Sequence, residues 1–142
     1  MSYFKTHHIS LNVIDLITSI TFYEKLGFEE KHRYKDGSVT IVHLLGNGLI
    51  VELFRYSNSP TEKTISCTLG HEDIIGIEHF SFHVDDIEKA YQNLSEYSTC
   101  TISKGRTGID YFFISDPEGN RIEIVSDQRK LGSNERESNN ER

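Results

Sequence analysis

Residues 8–13 alternate in character, with Ile9, Leu11 and Val13 set against His8, Ser10 and Asn12. That is the period of a half-buried strand, because successive side chains leave a strand on opposite faces. Phe80, Phe82 and Val84 repeat the pattern against His79, Ser81 and His83. After each alternating stretch the period changes to that of a helix. Leu16, Ile20, Tyr23 and Leu26 form one stripe, opened by Asp15 as a cap and stopped by Gly27. Ile87, Ala90, Tyr91 and Leu94 form the other, with Asp85 or Asp86 as its cap. Three short strands are then expected in each half, at 28–34, 39–45 and 48–55 and again at 100–104, 109–115 and 120–126. The turn signals Lys35-Asp36-Gly37, Gly46-Asn47-Gly48 and Asp116-Pro117-Glu118-Gly119-Asn120 separate them. Each half therefore reads βαβββ, an α+β arrangement, and the polar stretch from Ser57 to Gly76 reads as the link between them.

The two halves are also related residue by residue. HHISLNVIDL (7–16) and EHFSFHVDDI (78–87) align at an offset of 71, which pairs His8 with His79, Ser10 with Ser81 and Asp15 with Asp86. The same offset carries GLIVELF (48–54) onto GNRIEIV (119–125) and pairs Glu52 with Glu123. The spacing from His to Glu is thus 44 residues in both halves. A lone His on a polar strand face is ordinarily solvated, and a lone Glu in an apolar strand ordinarily sits at an edge. Agreement of both residue types at one offset, inside matching apolar frames, is a stronger signal.

Chemistry follows from that agreement. Glu52 and Glu123 lie in apolar strands where an unpaired carboxylate would be costly. Two imidazoles, two carboxylates and one divalent cation relieve the cost together, if the halves pack with approximate twofold symmetry. His8, Glu52, His79 and Glu123 are therefore read as ligands of one divalent metal ion, with Zn, Ni or Co preferred and Fe or Mn possible. Four protein ligands leave a position open for water or substrate. A carboxylate able to leave the metal can act as a general base, which makes Glu52 and Glu123 the catalytic candidates. Phe54, His83 and Arg121 are candidates for substrate binding, and His43 could line the same cavity. Arg33, Arg55 and Arg106 share with Arg121 a possible role as anchor for a substrate carboxylate. His7 and Glu78 are expected to face away from the neighbouring His8 and His79. The Asp116-Pro117-Glu118-Gly119 turn is expected to carry solvated carboxylates.

Composition narrows the partners. The 142-residue chain carries a formal net charge of -7, which argues against nucleic acid or an anionic membrane surface. No apolar run approaches the ~18 residues of a membrane span, and Met1 to Thr6 lacks a signal-peptide core. Cys67 and Cys100 make neither a disulfide framework nor a CxxC pair. A cytoplasmic location and a small-molecule substrate are the expectations. Residues 132–142, GSNERESNNER, contain no apolar side chain and are expected to be a disordered tail.

With these residues in hand, the chain resembles the vicinal oxygen chelate superfamily, which takes in glyoxalase I, methylmalonyl-CoA epimerase, extradiol dioxygenases, and fosfomycin- and bleomycin-resistance proteins. HHISLNVIDLITSITFYEKLGF, IEHFSFHVDDIEKAY and FFISDPEGNRIEIV look like its opening, central and closing motifs, and the likeness spans about residues 4–127. The resemblance implies one glyoxalase-like domain over 1–131, with module one at about 4–56, a linker at 57–76 and module two at about 77–128. It implies paired βαβββ modules forming a curved mixed sheet around a metal cavity, usually in a homodimer. His8, Glu52, His79 and Glu123 fall where the family places its ligands. A Glu at position 52 is similar to glyoxalase I-like members, whereas dioxygenases and fosfomycin enzymes generally use two His and the last Glu. The implied activity is that of a lyase or isomerase of the lactoylglutathione lyase type. It would act on a small carbonyl or thiol-adduct substrate through a metal-bound enediolate. An extradiol-type dioxygenase, or a non-catalytic antibiotic-binding protein, is the alternative. Ser57 to Ile77 departs from bacterial glyoxalase I, which leaves the identity of the thiol open.

Overall fold

The structure is a computed structural model and describes residues 4–58 and 76–129. Most of the expected linker, the 132–142 tail, Cys67 and His71 lie outside the described residues. The described residues divide into two compact units, 4–58 with 116–120 and 76–115 with 121–129.

In the first unit the order is β1 (His8–Asn12), α1 (Leu16–Lys25), β2 (Glu29–Lys35), β3 (Val39–Gly46) and β4 (Leu49–Tyr56). The strands form a four-stranded mixed sheet in the order β1-β4-β3-β2, in which β1 runs parallel to β4 and the other pairs are antiparallel. The Asp15 carboxylate caps α1 by accepting from the Thr18 amide at 3.0 Å, and Gly27 leaves the helix at φ 93°. Val42, Leu44, Val51 and Leu53 are fully buried. The opposite face of the same strands, carrying Ile50, Glu52 and Phe54, is only half-buried. Strand alternation thus separates a core face from a face free to do chemistry. The β3–β4 hairpin pairs Gly46 with Leu49, and its two turn residues, Asn47 (φ 48°) and Gly48 (φ 82°), have the positive dihedrals of a tight hairpin turn.

The β2–β3 turn is organised by Asp36. Its carboxylate accepts from the backbone amides of Ser38 (2.7 Å) and Val39 (3.0 Å), and from the Tyr34 hydroxyl (2.9 Å). The Ser38 amide, the Tyr34 hydroxyl and the Val39 amide together hold this carboxyl at about 2, against an ordinary 3.8. A carboxyl depressed by folding stabilises the fold in full above its unfolded value, and the contribution is lost as pH falls through the folded value. Asp36→Asn is therefore expected to be less stable than wild type near neutrality. The gap should close as pH falls from 3.8 towards 2, measured by denaturant unfolding across that range.

In the second unit the order is β5 (Phe80–His83), α2 (Ile87–Leu94), a 3-10 turn (Ser95–Tyr97), β6 (Ser103–Lys104), β7 (Asp110–Ser115) and β8 (Arg121–Ser126). A second mixed sheet runs β5-β8-β7-β6, again with its first pair parallel. Asp86 is the residue that caps α2, through the Lys89 amide at 3.1 Å. Phe112, Ile114, Ile122 and Ile124 form the buried face. The expected strand at 100–104 is shorter than the periodicity suggests. Only Ser103 and Lys104 pair with β7, while Ser98 makes an isolated bridge to Ile114 and the Phe113 amide turns to the Cys100 thiol at 3.3 Å. The strand is cut short because neighbouring backbone groups upstream find partners outside a regular ladder. The α+β class and the two mixed sheets agree with the fold expected from the sequence.

The 116–120 turn departs from expectation. Asp116 is only 4% exposed, and Tyr23, fully buried, donates its hydroxyl to the Asp116 carboxylate at 2.7 Å. Asp116 also accepts from the amides of Glu118 and Asn120 and from the Asn120 side chain. Glu118 accepts from the backbone amides of Ile14 (2.7 Å) and Asp15 (3.2 Å). The segment is a turn, but both carboxylates satisfy buried or local donors instead of standing in water.

Candidate functional site

Register places the sequence-predicted residues. Along the parallel pair β1–β4, Ser10 lies opposite Glu52; along β5–β8, Ser81 lies opposite Glu123. His8, the first residue of β1, stands two residues before Ser10 and so shares the face of Glu52, which it reaches diagonally. His79, just ahead of β5, stands two residues before Ser81 and also comes close to its Glu. His8 Nε2 is 3.6 Å from Glu52 Oε1, and His79 Nε2 is 3.4 Å from Glu123 Oε2. The chain duplication has therefore built one His–Glu pair in each unit.

Those separations are informative. They exceed an ordinary N–H···O hydrogen bond of about 2.7–3.2 Å. Two donors each about 2.1 Å from a common ion and subtending roughly 90–110° lie about 3.0–3.5 Å apart. The 3.4 Å pair falls within that range and the 3.6 Å pair lies just above it. Imidazole nitrogen and carboxylate oxygen are donor types that suit the borderline divalent metals. No three His, Cys, Asp or Glu side chains gather into a metal-binding group among the described residues. Each unit presents two donors.

The residues just before the two histidines do not face away as expected. Glu78 engages His79 Nδ1, and the His7 and His8 Nδ1 atoms are 2.8 Å apart. His7 and Glu78 precede β1 and β5, so strand alternation does not govern where they point. In both units the imidazole is held through Nδ1, with Nε2 towards the glutamate.

The carboxylates differ in their surroundings. Glu52 Oε1 accepts from the Ser10 hydroxyl at 2.9 Å, and Oε2 accepts from His43 Nε2 at 2.6 Å. Burial pushes the Glu52 carboxyl up, but these hydrogen bonds, with attraction from His8 and His43, outweigh it and hold it below its ordinary value. Ser81 instead gives its hydroxyl to the main-chain oxygen of Glu123 at 3.0 Å, and the residue across β7 from Glu123 is Phe113. The longer turn between β7 and β8 shifts the register, so an aromatic ring stands where His43 stands in the first unit.

The remaining candidates are placed as follows. Phe54 is half-buried and stacks on Tyr56, their centroids 5.7 Å apart. His83 accepts from the Asp127 amide at 3.2 Å and lies 3.5 Å from the Asp85 carboxylate. Arg121 pairs with Glu78 and lies 4.1 Å over the Phe113 ring. Arg33 is paired with Glu30 at 2.5 Å, and Arg55 donates to the Tyr56 carbonyl. Ser10 and Phe113 were not singled out by sequence, although the cross-strand neighbour of each glutamate would have been found by pairing the strands explicitly.

The profile of the Glyoxalase/Bleomycin resistance protein/Dioxygenase superfamily matches residues 5–124. The chain belongs to that superfamily. It is 30% identical over 125 residues to the uncharacterized protein YwkD of Bacillus subtilis (strain 168), a match covering 83% of this chain and 93% of that relative. Among solved structures it is similar to a glyoxalase family protein from Enterococcus faecalis, with TM-score 0.74, 25% identity, and coverage of 89% and 100% of the two chains. It also resembles a glyoxalase I variant from Zea mays, with TM-score 0.66 and 21% identity over 84% of this chain and 45% of the maize chain. The maize likeness shows the fold. No described helix of this superfamily member is long and apolar enough to cross a membrane.

Proposed function

We propose that this superfamily member is a metal-dependent lyase or isomerase of glyoxalase type. It would act on a small carbonyl compound or thiol adduct as a cytoplasmic homodimer, within a single domain spanning residues 1–131. The observation that carries the proposal is the duplicated His–Glu pair, at a ligand-like 3.4 Å in one unit and close to it, at 3.6 Å, in the other. His8, Glu52, His79 and Glu123 would hold one divalent cation, Zn, Ni or Co before Fe or Mn. When bound, such an ion supplies Lewis-acid polarisation of a carbonyl oxygen.

The chain's own residues divide the remaining work. Glu52 has both oxygens engaged by hydrogen-bond donors and its carboxyl held low, which suits a fixed ligand and makes it the weaker base. Glu123, set across from the Phe113 ring, is the better candidate to take a proton from the carbon beside the carbonyl and return it to the neighbouring carbon. Phe54 and His83 are proposed to contact the substrate. Arg121 is engaged by Glu78, which favours a bracing role over capture of a substrate carboxylate.

Metal analysis of protein purified without added metal tests the proposal, followed by a panel of hemithioacetals, acyl-CoA esters and catechols. One stoichiometric divalent ion and turnover of a hemithioacetal is the expected result. Protein that binds no divalent metal would sink it in favour of a binding protein, and iron with oxygen uptake on catechols would sink it in favour of a dioxygenase.

A further inference from the structure

Three side chains around His79, those of Glu78, Arg121 and Phe113, form a brace that the proposed reaction does not itself require. Glu78 engages His79 Nδ1 with one oxygen and the Arg121 guanidinium with the other. The guanidinium lies 4.1 Å over the Phe113 ring, and Phe113 meets the His79 imidazole edge-on at 5.2 Å. Glu78 and His79 side chains are 25% and 31% exposed, so the contact is partly shielded from water. An ionised carboxylate only accepts hydrogen bonds, so the proton between these groups belongs to Nδ1 and the lone pair is left on Nε2. Nε2 is the atom that faces Glu123.

Resting on the metal reading above, we propose that Glu78 is a positioning residue. It fixes the tautomer and ring orientation of His79 so that the Nε2 lone pair is presented beside Glu123, and Arg121 and Phe113 hold Glu78 in place. A carboxylate on the far nitrogen also strengthens an imidazole as a metal donor. The repeat puts His7 in the corresponding place before His8, and an imidazole brings no negative charge. The two halves of the duplicated site are therefore unequal, with His79 the stronger donor.

Two measurements test this. In metal-free protein, at a pH where imidazoles are neutral, nitrogen NMR should show His79 as the Nδ1–H tautomer. Glu78→Ala should move it towards Nε2–H. Glu78→Gln should keep Nδ1–H, because its amide oxygen still accepts. Co²⁺ affinity, read by competition with a chromophoric chelator, should fall about 10–100-fold in Glu78→Ala and by less in Glu78→Gln. His7→Ala should change it less than Glu78→Ala. A His79 tautomer indifferent to Glu78→Ala overturns the proposal, as does Co²⁺ affinity unchanged in both Glu78 variants. Because Glu78→Gln keeps the shape and the hydrogen bond, it supplies the affinity measurement if the alanine variant folds poorly. If Glu78 controls the tautomer and wild type binds no Co²⁺, Glu78 stands as the group that orients His79, and the metal reading is the one overturned.

Discussion

Glu123→Gln is expected to lower turnover about 10²–10⁴-fold, the usual contribution of a positioned general base. Isotope exchange between substrate carbon and solvent should slow by the same factor. Glu52→Gln should behave differently. It removes a carboxylate whose oxygens are taken by Ser10 and His43, so its loss should appear first as weaker metal binding. With metal saturating, its turnover should stay within about tenfold of wild type, as expected when an interaction is equally strong in ground and transition states. The contrast tests the asymmetry between the units, because the repeat alone makes the two glutamates equivalent. Two active Gln variants, both exchanging solvent protons at the wild-type rate, would remove proton transfer by these carboxylates from the mechanism. Equal losses in both would refute the division of labour while leaving the reaction type intact.

The repeat was visible in sequence because duplication preserves residue spacing. An offset of 71 residues carries both His and Glu from one half to the other, and strand alternation along β1 then puts His8 on the face of Glu52. Asn47-Gly48 announced the β3–β4 hairpin for the same local reason, since both positions need positive φ. The neighbours across the sheet were not legible in this way. His43 faces Glu52 but Phe113 faces Glu123, because cross-strand partners depend on turn length as well as on spacing along one strand. Glu78 was misplaced because alternation was extended two residues beyond the start of β5, into backbone that is not a strand. Asp116 was misjudged because a DPEG turn looks solvent-facing on local grounds. Its partner Tyr23 is 93 residues away in sequence.

That long-range contact gives the largest expected effect on stability. Asp116→Ala should cost about 2–4 kcal/mol, because it removes the acceptor shared by the Tyr23 hydroxyl, the Glu118 and Asn120 amides and the Asn120 side chain. Tyr23→Phe should cost about 1–3 kcal/mol, since it takes away one donor from a buried carboxylate that keeps others. Thermal midpoints should fall by roughly 3–5 °C per kcal/mol for a chain of this size. The double variant should cost less than the sum, by about 0.5–3 kcal/mol, because either change alone strands the other partner. Burial first, and the Asp116 charge second, push the Tyr23 hydroxyl far above its ordinary value of 10.0. The neutral phenol is the form that folding favours, so its contribution is complete below the unfolded value and is lost as pH rises beyond it. Wild-type stability should therefore fall more steeply above 10.0 than that of Tyr23→Phe, by one proton's slope of about 1.4 kcal/mol per pH unit. Parallel alkaline curves for the two proteins would mean that Tyr23 ionises as freely in the folded chain as in the unfolded one, and the buried hydrogen bond would have to be abandoned.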